Sequence, residues 1–225
     1  MPAHTRLADE LSALRAHYAV HMPADIAAAM KRADAALAAS DLVGSALAAG
    51  EFAPDFALPG VDGVPMRLSR ALADGPVILS FYRGGWCPYC NLELRAYQAL
   101  AGRMADAGVR LIAISPELPD HTAATVRDGG LAFDVVSDVG SEVARAYGVA
   151  FDLADELRPL YTRLGHALPD RNGADWVLPV PATYVVAPSG EIVLASIDTD
   201  YRSRLEPADA IDAAAAAAPG WRRAA

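Results

Sequence analysis

The chain has 225 residues, 53% of them hydrophobic, and a formal net charge of -9. That length supports a full hydrophobic core without disulfide staples, and an acidic balance with no basic run excludes nucleic acid and anionic membranes as partners. No apolar run approaches membrane-spanning length, residues 1–20 carry charges throughout with no apolar leader core, and two cysteines fit catalysis in a reducing, cytoplasmic setting.

Residues 1–45 read as a helical extension. Leu7, Leu11, Leu14 and Tyr18 form one amphipathic stripe, and Ile26, Met30 and Leu37 a second after Pro23, so two helices should pack on the body or on a second copy. The body, 46–225, changes to short strands and turns. Phe56-Ala57-Leu58 and Met66-Arg67-Leu68 flank Asp62-Gly63 as a hairpin. Val77-Ile78-Leu79-Ser80-Phe81 is an apolar run suited to a sheet covered on both faces. Gly84-Gly85 end it, and apolar residues return at helical spacing from 88 to about 104, through Cys90, Leu94, Tyr97, Ala101 and Met104. A strand over 109–114, a helix near 120–127, a strand over 133–136 and a helix near 141–147 follow. The segment 150–180 holds Gly, Pro, Asp and Arg, with one short helical stretch near 156–164; it reads as a surface loop, with a lid as the alternative. Strands over 183–186 and 192–195 make a hairpin around Ser189-Gly190. A final helix starts near Pro207 and runs into an alanine-rich tail expected to fray. This order, with a right-handed crossover in its first unit, gives an α/β architecture: a central mixed sheet with helices on both faces. That is a thioredoxin-like fold with an N-terminal helical extension.

Trp86-Cys87-Pro88-Tyr89-Cys90 holds both cysteines at the turn from buried strand to helix. Pro88 suits a first helical turn, where its missing N–H removes no bond. The sulfurs then lie one turn apart at a helix N-terminus, where free N–H groups and the helix dipole stabilise a thiolate. A Cys-X-X-Cys pair so placed has one thiol of lowered pKa and lies within disulfide reach. Zinc would need two more ligands at ligand spacing, but His4, His17 and His21 lie far upstream and His121 and His166 are isolated, so no metal or cofactor is expected. Arg83 is the nearest cation, either a catalytic group or a solvated strand-end charge. Trp86 should pack beside the site. Glu93 either accepts a proton or favours the early helix through the dipole. Asp198, Asp200, Tyr201, Arg202 and Arg204 form a polar cluster after the last strand, a solvated loop unless one of its arginines reaches the thiolate.

Several motifs, in order, resemble the alkyl hydroperoxide reductase/thiol-specific antioxidant family, the peroxiredoxins. They are Gly50-Glu51-Phe52-Ala53-Pro54-Asp55-Phe56, residues 76–82, Ile114-Ser115-Pro116, Val135-Val136-Ser137-Asp138, Val143 through Val149, and Ala182-Thr183-Tyr184-Val185-Val186 before Ser189-Gly190. The resemblance covers residues 50–196 and is nearest to a peroxiredoxin-like branch with an N-terminal helical extension and Arg-Gly-Gly-Trp-Cys-Pro-Tyr-Cys. Peroxiredoxins carry Pro-X-X-X-Thr-X-X-Cys, whose last residue attacks peroxide. Here Arg83 stands in place of the Pro and Cys87 in place of the Thr, with Cys90 at the attacking position and Glu93 at the family's acidic position. The family's later arginine falls at Pro181. Val180-Pro181-Ala182-Thr183 resembles instead the cis-proline element of thioredoxins, which implies a cis Val180–Pro181 bond against the sulfurs.

Two role assignments follow. In the peroxiredoxin register Cys90 attacks and Cys87 resolves the sulfenic acid. In thioredoxin logic Cys87, nearer the helix tip, attacks and Cys90 closes the disulfide. A peroxide can reach a recessed sulfur, and Cys90 shares the buried helical face, which favours Cys90 for peroxide. The resemblance implies a thiol peroxidase reducing hydrogen peroxide or organic hydroperoxides, recycled by a thioredoxin or glutathione system. The alternative is a thiol-disulfide oxidoreductase acting on protein or small-molecule disulfides; a redox-sensing binding protein is a third. The oligomeric state stays open, with a homodimer as one option.

Overall fold

The computed structural model describes residues 6–173 and 175–218; the frayed tail expected from 219 onward lies outside them. The chain opens with α1 (Leu7–His21), α2 (Ala24–Ala38) and the single turn α3 (Leu42–Ser45). Strands β1 (Ala57–Pro59) and β2 (Pro65–Arg67) form the expected hairpin, followed by α4 (Leu68–Leu72). Next come β3 (Val77–Phe81), α5 (Pro88–Ala99), α6 (Ala101–Asp106), β4 (Arg110–Ser115), α7 (Pro119–Gly129), β5 (Asp134–Ser137) and α8 (Glu142–Ala146). Strand β6 (Ala150–Asp152), a 3₁₀ turn (Asp155–Leu157), α9 (Arg158–Arg163), α10 (Leu168–Asn172) and β7 (Val177–Pro179) make up the segment that read as a loop. Strands β8 (Ala182–Val186) and β9 (Ile192–Ile197) then precede α11 (Pro207–Ala217).

The main sheet has five strands in the order β5-β4-β3-β8-β9. Strands β3, β4 and β5 run parallel, while β8 and β9 pair antiparallel. Central β3 is buried along its whole length because alternate residues enter different cores. Leu79 and Phe81 pack with Leu68, Tyr147 and Tyr184 on one face, and Ile78 packs with Tyr97, Met104 and Ile211 on the other. Truncating Leu79 to Ala would cost roughly 2–5 kcal/mol by loss of contacts plus a cavity.

Three expectations change. The helix expected from 88 to about 104 breaks at Leu100, the shared cap of α5 and α6, and the break lets Met104 join Tyr97, Val109 and Leu111 under the sheet. The 150–180 segment is tied down by the β6–β7 ladder, whose strands of three residues are too short to show a period-two pattern. The expected cis bond at Val180–Pro181 is absent: every described peptide is trans. The Val180 N–H donates to the Val149 carbonyl, which continues the β6–β7 pairing up to the proline, and the trans bond carries the chain on into β8.

The N-terminal helices pack onto the body. Leu7 and Leu11 of α1 join Cys87, Tyr89, Cys90 and Leu94 in one buried cluster. The first amides of α1, Leu7 and Ala8, donate to the Glu206 carboxylate, satisfying donors that a helix start leaves free. Asp34 of α2 pairs with Arg202 at 3.0 Å, and Arg15 of α1 with Asp200 at 3.0 Å.

Candidate active site

Strand β3 leads through Tyr82 and Arg83 into a tight turn at Gly84-Gly85, and α5 begins at once. Gly84 sits at φ +140, and a Cβ there would run into the Trp86 ring and the Glu117 carboxylate, so only glycine fits. Glu117 is fully buried and fixes the turn: it accepts the Gly85 N–H at 2.7 Å and pairs with Arg171 at 2.7 Å. The Asn91 amide donates to the Gly85 carbonyl at 2.8 Å. Cys87 is the N-cap of α5, Pro88 opens its first turn and Cys90 follows one turn on. Both cysteines are free thiols and both are buried, Cys87 at 2% exposure and Cys90 at 0%.

Two guanidinium groups reach this pair from different elements. Arg204, in the loop before α11, donates from Nη2 to Cys90 Sγ at 3.3 Å and from Nε to the Glu93 carboxylate at 2.6 Å. Its Nη1 also donates to the carbonyls of Tyr201 and Ser203, which fixes its direction. Glu93 is buried and accepts the Ser80 hydroxyl as well, so Arg204 already has a carboxylate partner. Burial raises the Glu93 pKa while Arg204 opposes the rise.

Arg83 is different. It is 4% exposed, and among the described residues no carboxylate lies within ion-pair distance of it. Its Nη2 donates to the Tyr161 hydroxyl, and its Nε has no partner. Three aromatic rings surround it, with the guanidinium carbon 4.7 Å from the Tyr201 centroid, 5.0 Å from Trp86 and 5.7 Å from Tyr161. Cation–π contacts soften the desolvation of a buried guanidinium but do not neutralise it. A buried charge needs a counter-ion, and both sulfurs are within its electrostatic reach, Cys87 more strongly than Cys90.

The electrostatics of the pair follow from this arrangement. The Cys87 thiol is pushed down to about 6, first by the neighbouring Cys90 thiol and, against the cost of burial, by Arg83 and then Arg204. Burial, the interaction with Cys87 and the charge of a Cys87 thiolate push the Cys90 thiol well up. The two shifts run in opposite directions, so a first thiolate charge on this coupled pair is favoured at Cys87 and opposed at Cys90.

The sequence-level residues Cys87, Cys90, Arg83, Trp86 and Glu93 all meet here. Arg83 is not a solvated strand-end charge, and the loop after β9 does supply an arginine to a sulfur. Trp86 packs edge-on to Tyr161, with centroids 5.6 Å apart. Pro181 lines a cavity of about 210 Å³ together with Arg83, Tyr161 and Tyr201. Tyr161, Glu117 and Arg171 also belong to the site, and no spacing or motif marks them in the sequence; folding of the 150–180 segment brings Tyr161 and Arg171 in.

A family model described as the AhpC/TSA family matches residues 49–195. A Mycobacterium tuberculosis protein carried under the name putative peroxiredoxin is 32% identical over 111 residues, which are 49% of this chain and 72% of that protein. The thiol-disulfide oxidoreductase ResA of Halalkalibacterium halodurans is 36% identical over 102 residues, 45% of this chain and 57% of that protein. Among solved structures, the crystal structure of peroxidoxin BcpB from Mycobacterium tuberculosis superposes with a TM-score of 0.59 at 24% identity, covering 76% of this chain and 96% of that one. The last likeness shows a shared fold.

Proposed function

The chain belongs to the AhpC/TSA family, and from that premise we propose that it is a thiol-dependent peroxidase whose attacking group is the Cys87 thiolate. The observation that carries this reading is the burial of both sulfurs beneath α1 and the aromatic ring set around Arg83. A hydroperoxide is small enough to reach a recessed sulfur, whereas a protein disulfide needs an exposed one. The peroxiredoxin register would give the attack to Cys90. The Arg83 charge, which has no carboxylate at ion-pair distance among the described residues, and the lowered Cys87 thiol support Cys87 instead.

In the first step the Cys87 thiolate attacks the hydroperoxide, the O–O bond breaks, and Cys87 becomes a sulfenic acid while hydroxide or alkoxide departs with a proton. Cys90 then attacks that sulfur, expelling water and forming the Cys87–Cys90 disulfide. Arg204 stabilises Cys90 as it gives up its proton, and Glu93 holds Arg204 in position. A dithiol reductant of the thioredoxin type, or glutathione, reduces the disulfide by exchange in a cytoplasmic setting.

Disulfide reduction is the second reading, supported by the Cys-X-X-Cys pair at a helix N-cap. One comparison separates the two. Reduced protein mixed with hydrogen peroxide should oxidise far faster than free cysteine and gain one intramolecular disulfide, with negligible insulin reduction by the same sample. Rapid insulin reduction with peroxide oxidation no faster than free cysteine would assign the second reading.

A further inference from the structure

The proposed peroxidase step leaves one proton to be supplied. Attack by a thiolate forms the S–O bond, breaks O–O and releases a strongly basic hydroxide or alkoxide, which is stabilised if an acid protonates it as it departs. The sulfurs are buried, so an acid held in place by the protein can supply the proton as the oxygen leaves. The leaving oxygen lies in line with the O–O bond, on the side away from the attacking sulfur. The Cys90 thiol faces Cys87 itself, and a guanidinium cannot give up a proton. Asp34 lines the cavity beside Arg83 but is ion-paired with Arg202. Tyr201 presents its ring, not its hydroxyl, to Arg83.

Tyr161 is placed differently. It projects from α9 and is 5% exposed, and its phenol oxygen accepts the Arg83 Nη2 hydrogen. That use of the oxygen leaves the phenol proton for another acceptor, and no acceptor for it is found among the described residues. Arg83 and Tyr161 both line the 210 Å³ cavity, which has apolar walls from Met30, Leu37 and Phe151, and Tyr161 lies within electrostatic reach of Cys87, just outside that lining. For scale, a dry cavity of about 150 Å³ holds benzene. Trp86, edge-on to the Tyr161 ring, fixes its orientation.

We propose that Tyr161 is the general acid that protonates the departing oxygen of the hydroperoxide. This rests on the peroxidase reading above and adds the proton source to it. Cys87 thiolate, hydroperoxide and the Tyr161 phenol become Cys87 sulfenic acid, water or alcohol, and a phenolate. Arg83, already on the phenol oxygen, stabilises that phenolate until water returns the proton. Burial raises the Tyr161 pKa, so the phenol keeps its proton until the leaving group takes it.

The test compares leaving groups. Tyr161→Phe keeps the ring against Trp86 and removes only the hydroxyl. Stopped-flow oxidation of the reduced variant by hydrogen peroxide, whose leaving group is hydroxide, should slow by about 100-fold. Oxidation by peracetic acid, whose acetate leaving group needs no proton, should stay within about threefold of wild type. The pH midpoint of the rate should not move, because the thiolate is untouched. Incorporation of 3-fluorotyrosine at position 161 should restore the hydrogen peroxide rate. Equal losses with both oxidants, a displaced midpoint, or no loss with hydrogen peroxide would each overturn the assignment of Tyr161. A wild-type protein that reacts with both oxidants no faster than free cysteine would overturn the peroxidase reading, and Tyr161's role with it.

Discussion

The two halves of the active site carry the same ingredients, a cysteine and a buried arginine, and differ in one charge. On the Cys90 side, Arg204 is neutralised by Glu93 before it touches the sulfur. On the Cys87 side, Arg83 has aromatic rings and a phenol around it but no carboxylate at ion-pair distance among the described residues. A neutral ion pair supports a sulfur without demanding that it ionise; an unpaired buried cation favours an anion beside it. The difference favours the negative charge of the dithiol on Cys87, three residues from a sulfur that Arg204 contacts at 3.3 Å.

Removing the sulfurs is the bluntest way to break this comparison. Cys87→Ser should lower peroxide consumption to background, because the charged sulfur is gone. Cys90→Ser should keep the first oxidation, with a dimedone-trappable sulfenic acid at Cys87, and lose turnover. Sulfenic acid at Cys90 in a reactive Cys87→Ser protein would reverse the assignment.

Arg83→Ala gives the next largest effect. Losing an adjacent opposite charge should raise the Cys87 pKa by about 1–3 units and slow attack at neutral pH by tenfold or more, roughly in proportion to the lost thiolate. The sign follows from which form reacts. In the intact protein the rate should climb as pH rises through about 6 and then level off, whereas in the variant the climb should come at higher pH. The same lowered pKa contributes folding stability that is present above the ordinary thiol pKa and lost as pH falls through about 6. A stopped-flow rate profile, with denaturant unfolding at matched pH, checks both.

Glu93→Gln sharpens the comparison with a smaller effect. It keeps an acceptor for Arg204 but removes the neutralising charge, so the Cys90 side becomes as cationic as the Cys87 side. The Cys90 pKa should fall and part of the thiolate should move to it, changing the first-step rate only several-fold. Mapping sulfenic acid by mass spectrometry should then find label at both positions. Label at Cys87 alone would show that Glu93 does not set the balance.

What was legible in the sequence was whatever local chemistry encodes. β3, the Gly84-Gly85 turn and the proline-led start of α5 are written in consecutive residues, and the structure has them where the residues put them. The order of strands and helices was legible for the same reason. The surroundings of the sulfurs were legible only where they lie near the motif, as Arg83, Trp86 and Glu93 do. Arg204 reaches Cys90 across 114 positions and Tyr161 reaches Arg83 across 78. Arg204 sits in a loop and Tyr161 in a short helix, and tertiary contacts bring both to the site. Pro181 shows the hazard of carrying a motif over by its residues alone. Val-Pro-Ala-Thr resembles the thioredoxin cis-proline element, but here it follows β7 directly and the bond is trans.

The location of the thiolate is the central claim, and nuclear magnetic resonance reads it directly. In protein labelled with carbon-13 at the cysteine Cβ positions and kept fully reduced, each Cβ shift can be followed against pH and assigned with the two serine variants. The Cys87 signal should titrate with a midpoint near about 6 while the Cys90 signal stays at its thiol position into alkaline pH. A Cys90 signal that titrates first, with Cys87 unmoved, would contradict the account.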